Sequence, residues 1–128
     1  MKVNRFEDLE IWQQARELCK IIYEITLISP FCNDFKFRDQ MRAASGSIMD
    51  NIAEGFDRGG NKEFSQFLSV SKGSCGEVRS QTYRAFDFNY ITEIQFDDLL
   101  ERTDSISRKT SNLQKFLKNT EIKGPKYH

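Results

Sequence analysis

The sequence predicts an all-α protein, an antiparallel up-down-up-down four-helix bundle. Apolar residues recur at alternating spacings of three and four along four segments, which is the spacing of one helix face. Only two prolines and seven glycines interrupt the 128 residues, which favours long helices over a many-turned β fold. The links between the segments are short, and short links join antiparallel neighbours. We expect one domain, with residues 1–119 as the bundle and 120–128 as a flexible C-terminal tail.

The first helix is predicted from about Phe6 to Ile28. Its apolar seam has a period of 3.5 residues and contains Trp12, Ala15, Cys19, Ile22 and Thr26. A second apolar row follows beside the seam at seven-residue spacing: Ile11, Leu18 and Ile25. The combined stripe is wider than the roughly 100° that a single core covers. Either this helix is central in the bundle or the second row covers another subunit, and we expect an oligomer interface there.

The second helix is predicted from about Phe37 to Asp57. It follows a connection over residues 31–36, whose aromatic residues Phe31 and Phe35 are expected to pack onto the end of the bundle. Small residues dominate the middle of this helix, at 43–47. Since a glycine such as Gly46 costs a helix about 1 kcal/mol relative to alanine, we expect a close helix crossing at this point.

The third helix is predicted from about Lys62 to Tyr90. The run Gly59-Gly60-Asn61 precedes it, with glycine suited to a left-handed residue after the second helix and asparagine to the next N-cap. Gly73 and Gly76 form a second small-residue patch in its middle, which we expect to meet the small residues of the second helix. The glycines lack the spacing of a phosphate-binding loop.

The fourth helix is predicted to follow a capping box formed by Thr92 and Gln95, and to end near Asn119. Its apolar seam is the most regular of the four: Phe96, Leu99, Thr103, Ile106, Thr110, Leu113 and Leu117.

Composition excludes several classes of protein. The 19 basic and 19 acidic residues balance, which argues against a general nucleic-acid binder but leaves room for a local basic surface. No apolar run is long enough to span a membrane, and the N-terminus has no signal-peptide pattern, so we expect a cytoplasmic protein. Three cysteines without a paired motif and a single terminal histidine predict no metal, no cofactor and no Cys/His catalysis.

Five polar residues lie on or beside the seams of the second and third helices: Asn51, Glu54, Arg58, Lys72 and Glu77. One interpretation is a catalytic or ligand-binding cluster, in which two carboxylates do acid–base work. The other is an interhelical hydrogen-bonded network that fixes the packing. We favour the structural network, because short loops and the absence of an internal histidine are unusual for an enzyme site.

Four basic residues of the fourth helix recur near seven-residue spacing and are therefore assigned to one face: Arg102, Arg108, Lys109 and Lys115. The simpler interpretation is a solvated surface. The alternative is a surface that contacts phosphates and is repeated around an oligomer, so that weak contacts add by avidity.

Four short sequence motifs resemble those of a known family and occur in the same order along the chain. They are F-E-D-L-x-I-W-x-x-A at 6–15, Q-M-R-A-A-x-x-S-I-x-x-N-I-A-E-G at 40–55, E-F-x-x-F-L at 63–68 and K-G-S-x-x-E at 72–77. Because it contains these four motifs, the chain resembles a family of four-helix-bundle proteins that are encoded within intervening sequences of bacterial 23S rRNA genes. A related branch is the accessory protein of diversity-generating retroelements, a basic pentamer that binds nucleic acid and the reverse transcriptase.

The resemblance implies a homopentamer with helices facing a central channel. For most members of the family no activity is established. We therefore expect a non-enzymatic oligomeric bundle associated with RNA or another nucleic acid. The alternative is a structural scaffold for protein partners with no nucleic-acid role.

Overall fold

Four long helices make up almost all of the protein in the computed structural model, which describes residues 3–120. They are α1 (Glu10–Ile25), α2 (Phe35–Asp57), α3 (Asn61–Asp87) and α4 (Glu93–Asn119), and short 3₁₀ turns at Phe6–Asp8 and Phe31–Asn33 precede α1 and α2. No strand occurs within the described range. The all-α prediction is confirmed. The predicted tail at 120–128 lies, except for Thr120, outside the described residues.

The helices form a closed ring of antiparallel neighbours, in which α1 packs on α2 and α4, and α3 packs on α2 and α4. Side-chain bonds fix the directions. Ser71 and Ser74 of α3 bond to Ile48 and Ser47 of α2, so that the numbers rise on one helix as they fall on the other. The start of α3 bonds to the end of α4 through Asn61. This arrangement is that of an up-down-up-down bundle.

The ends of the helices follow local capping rules. The Thr92–Gln95 capping box is present, and Gly59 after α2 has the predicted left-handed backbone, at φ 90°. Asp34 caps α2 by accepting from the amide of Phe37. The N-cap of α3 is Gly60 rather than Asn61, so that prediction was wrong by one residue. The first predicted helix is shorter than expected, because Leu9 is extended and separates the 3₁₀ turn from α1.

The core of the single chain contains the row that was predicted to face another subunit. Ile11, Leu18 and Ile25 are only 4%, 0% and 7% exposed. The prediction of an oligomer interface at these three side chains is corrected: they are core residues of the chain itself. The wide apolar stripe of α1 arises because α1 packs on two neighbours, α2 and α4, at an angle to each other.

The glycine that packs most tightly between α2 and α3 is Gly55, and not a glycine of the predicted small-residue patches. A Cβ on Gly55 would lie 2.5 Å from the Cβ of Phe67, whereas no atom lies within 4 Å of such a Cβ on Gly46, Gly73 or Gly76. The glycines of the predicted patches therefore do not make the close contact. The serines of the same patches do meet, since the hydroxyl of Ser74 bonds to that of Ser47 at 2.9 Å, and an open groove lies beside them.

Aromatic rings close the end of the bundle at which α2 begins and α3 ends. Phe31 is fully buried and stacks on Phe37 and Tyr90, with ring centroids about 5 Å apart. The expectation that Phe31 packs onto the end of the bundle is confirmed. Phe35 is 64% exposed, and its ring lies under the guanidinium of Arg38, so the expectation for Phe35 is wrong.

Candidate functional site

A cleft of about 850 Å³ lies between the start of α3 and the end of α4. We name it the lysine cleft. Four lysines line it, together with hydroxyl and amide side chains, and no acidic residue does so within 3–120. The lining residues are Asn61, Lys62, Ser65, Gln66, Ser69, Lys72, Ser111, Gln114, Lys115, Leu117, Lys118 and Thr120.

Two amides tie the helices together in the cleft. The Nε2 of Gln114 donates to the carbonyl of Ser65 at 3.0 Å and to the hydroxyl of Ser69 at 2.9 Å. The Nδ2 of Asn61 donates to the carbonyls of Leu117 and Thr120 at 3.1 and 2.6 Å. The Oδ1 of Asn61 is buried without a hydrogen-bond donor among the described residues. The cleft is therefore built by fixed bonds and retains one unsatisfied acceptor.

Helical spacing explains why the lysines converge. Lys62 and Lys72 are separated by about three turns of α3, and Lys115 and Lys118 by one turn of α4, so each pair lies on one side of its helix. Antiparallel packing then places the two sides opposite each other. The sequence pattern predicts Lys72 in a polar network and Lys115 in a basic stripe. It does not single out Lys62 or Lys118, because these two lysines lie on different helices and no pattern within one helix relates one to the other.

The cleft carries uncompensated positive charge. None of its four lysines forms an ion pair with another residue of the described range. Lys62, Lys115 and Lys118 are exposed, and Lys72 is half-buried. Ammonium groups, together with nearby hydroxyls and amides, donate hydrogen bonds to phosphate oxygens. The lysine stems add apolar walls to the same cleft.

The basic stripe predicted on α4 is two separate rows. Seven-residue spacing relates Arg102 to Lys109 and Arg108 to Lys115, and the two rows differ by about 120° around the helix. Lys109 pairs with Glu10 of α1 at 2.6 Å, whereas Lys115 lines the lysine cleft beside α3. The prediction of a single face is therefore corrected.

Three of these four bases have acidic partners. Arg102 lies 2.9 Å from Asp98, Arg108 lies 3.8 Å from Asp104, and Lys109 pairs with Glu10. Each neighbouring carboxylate offsets the charge that a phosphate would otherwise meet. Only Lys115 of the stripe is without an ion pair in residues 3–120.

The five residues of the predicted polar network do not form one network. Glu54 pairs with Arg58 at 3.0 Å on the exposed side of α2, and Glu77 accepts from Gln81 on α3. Asn51 donates to the carbonyl and hydroxyl of Ser47, so these bonds stay within a helix. Glu54, Arg58 and Glu77 are exposed, whereas Asn51 and Lys72 are half-buried. The predicted interhelical network of all five residues is therefore corrected.

Serines make the polar link between α2 and α3 instead. The hydroxyl of Ser71 donates to the carbonyl of Ile48, and the hydroxyl of Ser74 bonds to that of Ser47. Asn51 joins this link through Ser47. Serine hydroxyls are short enough to bond across a close helix contact.

The cysteines are free thiols, and Cys75 is fully buried. Burial raises the pKa of the Cys75 thiol to about 11, and its sulfur donates to the carbonyl of Thr103 at 3.1 Å. This thiol is un-ionised near neutral pH and is a poor nucleophile. Within the described range no three His, Cys, Asp or Glu side chains cluster as a metal site. None of its helices is both long and apolar enough to cross a bilayer.

Comparison with known proteins gives one family and one fold. The model of the 23S rRNA-intervening sequence protein family matches residues 7–112. A search of curated proteins found no match. The crystal structure of a protein of unknown function from the S23 ribosomal protein family of Bacteroides thetaiotaomicron superposes with a TM-score of 0.75. The two chains are 18% identical, and the match covers 82% of this chain and 98% of the other. At this identity the likeness shows the fold alone.

Proposed function

We propose that this chain, which belongs to the 23S rRNA-intervening sequence protein family, is a non-enzymatic bundle that binds the phosphate backbone of RNA in its lysine cleft. The observation that carries the proposal is the convergence of four lysines, from two helices, with no acidic residue among the described residues that line the cleft. Family membership supports RNA over another polyanion.

The charge distribution supports a local contact rather than a general affinity for nucleic acid. The whole chain has equal numbers of basic and acidic residues, so long-range attraction to a polyanion is weak. Binding that depends on a few lysine–phosphate contacts is strongly sensitive to salt. The cleft has no aromatic side chain among its lining residues, which favours contacts to the backbone over base stacking.

The proposal includes self-assembly, for which the resemblance implies a pentamer. Because the core of the chain buries the row at 11, 18 and 25, a subunit contact has to use another surface. The open groove between α2 and α3 offers room for such a contact. It has a volume of about 390 Å³. Its lining contains small residues (Ala43, Ala44, Ser47, Ser74 and Ser80) and longer polar or charged ones (Gln40, Glu77, Gln81 and Arg84). Repetition of the lysine cleft around an oligomer would add weak contacts by avidity.

The test is RNA binding by two doubly neutralised variants. A fluorescein-labelled single-stranded RNA of about 16 nucleotides is titrated with protein, and anisotropy is followed from low to physiological salt. We expect Lys72→Gln with Lys115→Gln to weaken binding about tenfold at low salt and to reduce the slope of log K against log salt by about 1.4, since each phosphate contact contributes about 0.7 for single strands. Lys20→Gln with Lys36→Gln, which removes two exposed lysines outside the cleft, is the matched control.

The ion-paired bases of α4 give a second comparison. Arg108→Gln with Lys109→Gln removes the same formal charge as the cleft variant. We expect it to have the smaller effect, because Asp104 and Glu10 already offset these bases. An equal loss of RNA affinity in the cleft, stripe and control variants would contradict the proposal that RNA binds specifically in the lysine cleft. Absence of RNA binding at low salt would contradict the proposal and favour the scaffold for protein partners.

A further inference from the structure

Two aromatic rings at the end of α3 contact a third at the start of α4, at the opposite end of these helices from the lysine cleft. The ring centroid of Phe96 is 4.5 Å from that of Phe86 and 5.1 Å from that of Tyr83. Tyr83 is 50% exposed and Phe86 is 37% exposed. Single exposed rings are ordinary, but a contiguous exposed group marks an interaction surface.

A row of acidic residues follows the aromatic group along α4. Glu93, Asp97 and Glu101 recur every four residues and are all exposed, so they are neighbours on one side of the helix. Glu93 lies three residues before Phe96 and is therefore next to its ring. Like charges at this spacing repel each other. We name the surface formed by Tyr83, Phe86, Phe96, Glu93, Asp97 and Glu101 the acidic–aromatic patch. The rings border the acidic row at Glu93, and Glu101 lies at the far end of the row, on the side of α4 towards Gln14 of α1.

No cation within residues 3–120 pairs with this acidic row. The two nearest arginines of α3 are engaged elsewhere. Arg79 donates to the carbonyl of Leu100 and the hydroxyl of Thr103, and Arg84 stacks over Phe37 at 4.1 Å. The one nearby base of α4, Arg102, pairs with Asp98. The patch therefore combines unpaired negative charge with exposed aromatic surface.

We infer that the acidic–aromatic patch docks a basic amphipathic segment of another protein. Negative charge selects against nucleic acid and anionic lipid, and the rings provide contact area that an ordinary acidic surface lacks. The acidic row from Glu93 to Glu101 is about 12 Å long, which matches two turns of a helix with basic residues four apart. Such a partner would place its cations on the row and its apolar side chains on the rings.

The experiment uses the full chain and a synthetic probe peptide. The peptide has about 14 residues, long enough to form a helix on binding, with lysines four apart on one side and leucines beside them. Its affinity is measured by anisotropy at low and at physiological salt. A second peptide keeps the lysines and replaces the leucines with serine, which separates apolar contact from simple charge attraction.

Two patch variants and two controls locate the binding. The first patch variant is Tyr83→Ala with Phe86→Ala, and the second is Asp97→Asn with Glu101→Gln. We expect each variant to lower the affinity for the leucine peptide about tenfold, as truncation of interface anchors does. The matched controls are Phe35→Ala, which removes an exposed ring elsewhere, and Glu17→Gln with Glu24→Gln, which removes two exposed acids of α1. Both controls should bind within about twofold of the parent chain.

Three results would overturn the inference. The first is equal binding of the leucine and serine peptides, which would mean charge attraction alone. The second is equal weakening by patch and control variants. The third is self-association of the parent chain, measured without peptide, that Tyr83→Ala with Phe86→Ala abolishes, because the occupant would then be a second copy. The exposed Asp97 and Glu101 variant keeps the test valid if loss of the rings disturbs folding, as judged by circular dichroism.

Discussion

At the residue scale, a close contact between α2 and α3 depends on the absence of one side chain. The Cα of Gly55 faces Phe64 and Phe67, and an added Cβ would lie 2.5 Å from the Cβ of Phe67 and 3.1 Å from a ring carbon of Phe64. Gly55 is buried in the same helix as Gly46, which has open space around it. The two glycines therefore differ in function although their local sequences look alike: one permits packing, and the other lies on a surface.

We expect Gly55→Ala to destabilise the protein by about 2 kcal/mol, within the range measured for overpacked cores. The new methyl group would push α3 away from α2, since the nearest atom is the Cβ of Phe67 and cannot rotate aside. Urea unfolding followed by circular dichroism gives the free energy of unfolding. Gly46→Ala is the control and should be neutral or raise that free energy by up to about 1 kcal/mol. Equal stability of Gly55→Ala and the parent chain would contradict the close contact.

At the element scale, the helix ends are held by side chains from other elements. Asp34 caps α2 through the amide of Phe37 and also accepts from the hydroxyl of Tyr90, beyond α3. This hydrogen bond to the carboxylate, together with burial, raises the pKa of Tyr90. Asn61 closes the opposite end of the bundle by bonding to the last carbonyls of α4. Each end is thus fixed by a contact between helices as well as by local capping.

We expect Asn61→Ala to destabilise the protein by about 1 kcal/mol, because two carbonyls at the end of α4 lose their donor and must rely on water. Hydrogen exchange should become faster for the amides in the last two turns of α4 and stay unchanged in α2. Asn33→Ala is the matched control, since Asn33 is exposed and its side-chain amide bonds only to the nearby Ser29 hydroxyl and Cys32 thiol among the described residues. Unaltered exchange in α4 of Asn61→Ala would show that its end is held by other contacts.

At the scale of the whole molecule, a neutral chain separates its charge along one pair of helices. The lysine cleft lies where α3 begins and α4 ends, and the acidic–aromatic patch lies where α3 ends and α4 begins. A third surface, the groove between α2 and α3, is lined by small and polar residues. The three surfaces share no residue, and each is assigned a different occupant: RNA, a protein partner and a second copy of the chain.

We expect light scattering after size exclusion to give a mass near five times 15.0 kDa, with the α2–α3 groove at the subunit contact. Ala43→Glu would place a charge in that groove and should shift the mass towards that of a single chain. Asn112→Glu, at an exposed position of α4, should leave the mass unchanged. A parent chain that elutes as a monomer would contradict self-assembly, and a full-mass Ala43→Glu variant would place the contact on another surface.

The sequence by itself determined the number, order and approximate bounds of the helices. Apolar spacing reports the buried side of each helix without knowledge of its partner, and the capping box at Thr92 and the left-handed Gly59 are signals contained within a few residues. The sequence also contains the information that the α4 bases form two rows, although they were predicted to share one face. Seven-residue spacing relates Arg102 to Lys109 and Arg108 to Lys115, and the two pairs lie about 120° apart around the helix.

Only the tertiary structure decided which of these features face each other. Periodicity cannot tell an apolar row that meets a second helix from one that meets a second subunit, so Ile11, Leu18 and Ile25 were assigned wrongly. Nor can it tell which glycine touches a neighbour. The lysine cleft exists because antiparallel packing brings Lys62 beside Lys118, two residues that are far apart in the chain. Contacts between helices depend on the angle and register of packing, which no single segment of sequence contains.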